Sequence, residues 1–165
     1  MVVLTYLSGE LDVELLHSWF GYVVTGLIAA RLTWGFVGSV NARFSSFIYS
    51  LGDTRDYIVS AFRNAPVHYQ SHNPAGALMV FALLTVLGLL VVSGLFFEGW
   101  GEYEGPLWNM GLMIGDGVGH MSKVIHRTLS PALLVMIALH LTGVVVATVQ
   151  HRENFVRAMW YGYDK

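Results

Sequence analysis

Apolar residues do not alternate with polar ones along most of this chain; they run on in three long blocks. Residues 13–37 read VELLHSWFGYVVTGLIAARLTWGFV, residues 74–97 read PAGALMVFALLTVLGLLVVSGLFF, and residues 123–149 form the third block. Each exceeds the roughly 20 residues that a helix needs to cross about 30 Å of hydrocarbon. Backbone groups in lipid must be satisfied within their own segment, so each block is predicted to be a spanning helix. Pro131 falls inside the third and predicts a kink there. The first ten residues, MVVLTYLSGE, begin apolar and turn polar as the last turns of a helix do. They are too short to span, and with no basic start and no small-residue cleavage site they do not read as a signal peptide. They are expected to be the tail of a fourth helix whose beginning lies outside this sequence. The fold class that follows is all-α, a transmembrane four-helix-bundle type with a truncated first helix, in one domain over residues 1–165.

Composition narrows the chemistry. Of the 165 residues, 55 % are hydrophobic and 12 % charged, which suits a bilayer protein better than a soluble domain. There is no cysteine, so disulfides, thiolate zinc sites, iron–sulfur clusters and covalently attached c-type haem are excluded. The net charge of −2, with no basic run, gives no case for nucleic acid. The basic residues do set an orientation. Arg31, Arg43, Arg55, Arg63, Arg152, Arg157 and Lys165 fall on one side of the predicted spans, and only Lys123 and Arg127 on the other. Loops rich in Lys and Arg stay cytoplasmic. The 38–73 connection and the C-terminus are therefore expected inside, and residues 9–14 and the 98–122 loop outside, where Glu98, Glu102, Glu104 and Asp116 cluster.

Between the first two spans, residues 41–64 mix Phe44, Phe47, Ile48, Tyr57, Ile58 and Phe62 with arginines. One or two short helices lying in the membrane interface are expected there. Trp100 and Trp108 outside, and Trp160 and Tyr161 inside, suit aromatic belts at the two surfaces.

Ionisable residues inside a predicted span are functional candidates. His126 and His140 sit fourteen residues apart in the third span. That is nearly four turns, so they share a face, about 21 Å apart along the axis. His17 and His126 each lie a few residues inside the outer end of their span, at matched depth. Two imidazoles meeting across a bundle suit six-coordinate haem iron. A flat ring system also needs small neighbours, which Gly21, Ser130 and Gly143 supply one turn or less from these histidines. Arg127 and Lys123 are candidate propionate partners at the outer site, and Arg31 lies at about the depth of His140. His72, at the mouth of the second span, suits a cap, a propionate partner or a substitute ligand. His151 is expected at the interface, and His68 and His120 in loops without a role. Spacing alone leaves open a hydrogen bond between helices, a proton relay or a metal site.

Several pieces in order give a further reading. LHSWFGYVVTGLIAARLTWGFVG (16–38), ARF (42–44), HNPAGALMV (72–80), IHRTL with ALH (125–140) and GVVVATVQHRENFVRAM (143–159) make the chain resemble the bacterial cytochrome b561 family. That family is related to the cytochrome b subunits of nickel–iron hydrogenases. The resemblance covers residues 11–160 and implies a four-helix membrane bundle holding two b haems. It places the outer haem between His17 and His126 and one ligand of the inner haem on His140. The family's other inner ligand, near the start of helix one, has no counterpart here. His126 is also followed by arginine where the family more often has glutamate.

The function implied is electron transfer between the quinone pool and a periplasmic or membrane-associated redox partner, such as a c-type cytochrome. The chain would be a component of an oxidoreductase system, in the bacterial inner membrane, alone or in a homo- or hetero-oligomer. The alternatives are a haem-containing anchor subunit of a larger respiratory complex, and a proton or metal transporter using the same histidines.

Overall fold

The computed structural model describes residues 1–63, 69, 73–101, 104–111, 113 and 115–151. The described elements are helical, without a strand. Helix α1 spans Val2–Glu10 and α2 spans Glu14–Val37. They form a hairpin through residues 11–13, where Asp12 takes a positive φ of 54°. Aspartate tolerates that left-handed turn better than most residues do. The Val13 N–H closes it by donating to the Ser8 carbonyl at 2.9 Å.

Helix α2 ends at Gly38, whose N–H donates to the Trp34 carbonyl at 2.9 Å. A Cβ at Gly38 would run into that carbonyl and the Trp34 ring, so glycine is what lets the chain turn there. The chain then makes two 3₁₀ turns, Val40–Ala42 and Phe44–Phe47, and enters α3, Leu51–Phe62. Phe47 is fully buried, with its ring 6.0 Å from Phe44 and 5.6 Å from Phe81 of the next helix. Phe44 in turn packs on Gly35, where a side chain would meet its ring. These aromatics fix the two 3₁₀ turns against α2 and α4. Ser50 and Asp53 start α3 with reciprocal hydrogen bonds, each side chain satisfying the other's backbone N–H at 3.0 Å.

Helix α4 spans Pro74–Gly101. Its start explains the NPAG sequence. The Asn73 side-chain carbonyl accepts from the Gly76 N–H at 2.7 Å, and Pro74 needs no donor in the first turn. One turn, α5 (Trp108–Gly111), precedes α6, Asp116–His151. Pro131 lies within α6 without ending it. Helices α4 and α6 reach beyond the expected 74–97 and 123–149, because a helix does not have to stop where hydrocarbon ends. His120, expected in a loop, is a correction: it lies in the first turns of α6, with its ring 4.9 Å from that of Trp100. Trp100 also donates to Asp116, whose carboxylate sits favourably in the first turn of α6.

Helices α2, α4 and α6 are long and apolar enough to cross a membrane. Their large side chains point mostly outward, among them Trp19, Leu27, Trp34, Phe36, Leu89 and Leu139. In water such a surface would be costly; in lipid it needs no cover. The helices pack in the order α1 on α2, α2 on α4, and α4 most extensively on α6.

Candidate haem pocket

A cavity opens between α1, α2, α4 and α6, with about 970 Å³ between atoms including its open mouth. Its walls are mainly apolar, with Val24, Leu87, Leu90, Val91, Leu95 and Leu133 among them. His17 enters from α2 and His126 from α6. Their ring centres are 5.9 Å apart and the ring planes meet at 77°.

Each imidazole is oriented by a backbone carbonyl of a neighbouring helix. His17 Nδ1 lies 2.8 Å from the Thr5 carbonyl of α1, and His126 Nδ1 lies 3.0 Å from the Leu90 carbonyl of α4. A carbonyl only accepts, so both Nδ1 atoms carry the proton and both Nε2 atoms keep a lone pair. Ser93 Oγ lies 3.3 Å from His126 Nδ1 and itself donates to the Leu90 carbonyl. This is the arrangement in which a histidine serves a metal: one nitrogen anchored, the other free to ligate.

Two glycines make room for the rings. A Cβ at Gly9 would come within 2.8 Å of His17 Nδ1, and one at Gly94 within 2.9 Å of His126 Cε1. Gly21 differs: it lines the cavity and a Cβ there would meet nothing within 4 Å. The small residue expected beside a flat macrocycle therefore faces open space. Ser130 also lines the cavity and donates to the His126 carbonyl at 2.6 Å.

The donor set can be tested against haem. Two imidazoles on opposite sides of one metal, each bonded at about 2 Å, have ring centres roughly 6 Å apart. The observed separation fits. Among the described residues, no three His, Cys, Asp or Glu side chains converge as a metal site. A metal between these imidazoles would thus take its remaining ligands from a non-protein group, as iron does in a porphyrin. The residues fit haem.

The other candidates lie apart. Arg127 is exposed on α6, and Lys123 reaches over the Phe97 ring at 5.4 Å. Arg31 lies over the Phe44 ring at 5.0 Å, with its Nη1 buried and without a hydrogen-bond partner. His140 is half-buried on α6, and Gly143 beside it is exposed with open space around it. His72 and His68 fall outside the described residues, as do Arg152, Arg157, Trp160, Tyr161 and Lys165.

Sequence reasoning did not find Thr5, Gly9, Ser93, Gly94 or the Tyr22–Glu98 contact at the cavity's end. The Tyr22 hydroxyl lies 2.8 Å from both Glu98 oxygens. Glu98 counts in the sequence only as one of several external acids, and nothing in its neighbours turns it inward.

A sequence model described as prokaryotic cytochrome b561 matches residues 2–162. No curated protein and no solved structure matches the chain.

Proposed function

The chain belongs to the prokaryotic cytochrome b561 family, and from that premise we propose that it carries electrons between the quinone pool and a redox partner outside the inner membrane. Membership implies a membrane b-type cytochrome in electron transfer, with haem b as its cofactor. The observation that carries the finer reading is the His17–His126 pair, with each Nδ1 tied to a carbonyl and each Nε2 free. Haem b held there supplies a one-electron ferric–ferrous couple.

The chain's own residues do the rest. His17 of α2 and His126 of α6 would both hold the haem iron, which favours electron transfer over binding of a small ligand. The carbonyls of Thr5 and Leu90 hold both rings in one tautomer, so little has to move when charge changes. The apolar walls keep water out, and Gly21 leaves a flat face open. Arg127 and Lys123 are cations at the same end of α6 for acidic groups of the cofactor. Arg31, with its orphaned nitrogen, is the cation nearer the inner surface. His140 lies about 21 Å further along α6, the depth of a second haem.

The test is a pyridine haemochrome assay per mole of protein, on wild type and on His17→Ala and His126→Ala. Each substitution should remove one b haem and its six-coordinate low-spin spectrum. Full haem content and an unchanged spectrum in either variant would refute the assignment. One haem per chain would confine the cofactor to the described pocket. Two would require a further axial ligand opposite His140, since His17 is engaged with His126 and His120 with Trp100.

A further inference from the structure

Glu98 lines the same cavity as the two imidazoles, one turn of α4 beyond the glycine that receives His126. Its carboxylate is held from two sides. Tyr22 of α2 donates to it, at 2.8 Å from each oxygen. The covering loop passes over it at Gly105, whose φ of +74° and lack of a side chain are both required. A Cβ there would strike Glu98 Oε2 and lie 3.0 Å from the Tyr22 hydroxyl. Among the described residues no cationic nitrogen is paired with this carboxylate. The groups facing the cavity from the packed helices are Tyr6 of α1, His17 and Tyr22 of α2, and His126 of α6. Lys123 lies over the neighbouring Phe97 ring, and Glu104 and Arg127 are exposed.

With both histidines committed to a metal, Glu98 is the one carboxylate among the described residues that line the cavity. An electron entering an apolar cavity adds a negative charge that little solvent screens. A carboxylate beside it then gains proton affinity, as any acid does next to a like charge. We propose that Glu98, positioned by Tyr22, is the proton-accepting site of this pocket, and that it couples electron arrival at the His17–His126 centre to uptake of one proton. The proposal rests on the haem reading above. The step balances. One electron enters from a one-electron donor, dithionite in the test. One proton from the water beyond the 104–111 loop adds to a Glu98 oxygen, and the other oxygen keeps the Tyr22 hydrogen bond. When the electron leaves, the proton returns to water.

The test is a redox titration of the purified holoprotein across pH. In wild type, the midpoint of the His17–His126 haem should fall as pH rises, by up to about 59 mV for each tenfold drop in proton activity. Glu98→Gln should bind haem with an unchanged spectrum and lose this dependence. Tyr22→Phe removes a hydrogen bond to the charged form, so the same dependence should persist but move to higher pH. An identical pH dependence in wild type and Glu98→Gln would overturn the proposal. Should that variant fail to fold, reduced-minus-oxidised infrared spectra of wild type decide. A protonated carboxyl band that appears on reduction and shifts in Glu98→Asp supports the site, and its absence overturns it. A preparation without a Soret band defeats the haem reading instead, so the two failures are distinguishable.

Discussion

At Gly94 and Gly9 a missing side chain decides whether an imidazole can take its position. His126 cannot easily give way, because its Nδ1 is tied to Leu90 and lies close to Ser93. A methyl group at Gly94, 2.9 Å from the His126 ring, would push the ring off the Leu90 carbonyl or force α4 away from α6. Overpacking of this kind typically costs about 1–3 kcal/mol. Gly94→Ala is therefore expected to lower haem retention and broaden or shift the low-spin spectrum. Gly88→Ala, away from the cavity lining and with nothing within 4 Å of its Cβ, should leave retention close to wild type by the same haemochrome assay. The two histidines were legible because ionisable groups are rare in an apolar span and their depths can be counted. Gly9, Gly94 and Ser93 were not, since a residue's role beside a ring on another helix leaves no trace in its own neighbours.

Among the elements, helix α3 starts on a side-chain cap, as the spanning helix α4 does. Ser50 and Asp53 satisfy each other's backbone at the start of α3. The Ser50 hydroxyl and N–H hold the Asp53 carboxyl below its ordinary value of 3.8. A lowered folded value means that the contribution is fully present above the ordinary value. It is lost as pH falls through the lower folded value, when the acid protonates. The protection of amides 51–62 against hydrogen exchange, relative to the intrinsic rate at each pH, should therefore fall in strongly acidic buffer in wild type. Asp53→Asn should abolish that pH response. Ser50→Ala should raise exchange at neutral pH, in line with the roughly 1 kcal/mol that a lost N-cap costs. Serine three residues before aspartate in SLGD is a capping pattern, whereas the mix of aromatics and arginines around it predicts only short helices. The NPAG start of α4 shows the same gap, since those residues were read as a family mark and the structure explains them as a cap.

For the molecule as a whole, orientation and the position of the cavity belong together. Seven of the nine basic residues lie on the side of the 38–73 connection and the C-terminus. Under the positive-inside rule the His17–His126 cavity and Glu98 are expected toward the outer surface. A reporter active only in the cytoplasm, fused after residue 165, is expected to be active. The same reporter inserted between residues 104 and 108 should be silent. The reverse pattern would place the cavity toward the cytoplasmic surface.

The sequence by itself determined the membrane, the three spans, the exclusion of cysteine-based cofactors and the two histidines at matched depth. These follow from quantities that add up along one chain: length, hydropathy, charge and rise per residue. Only the tertiary structure decided which carbonyl fixes each imidazole, which glycines admit the rings, and that Glu98 turns into the cavity under Gly105 to meet Tyr22. Those features depend on the approach of one helix to another at the scale of an ångström. Side-chain identities along a single span cannot encode that approach, because it is set jointly by every residue on both facing surfaces.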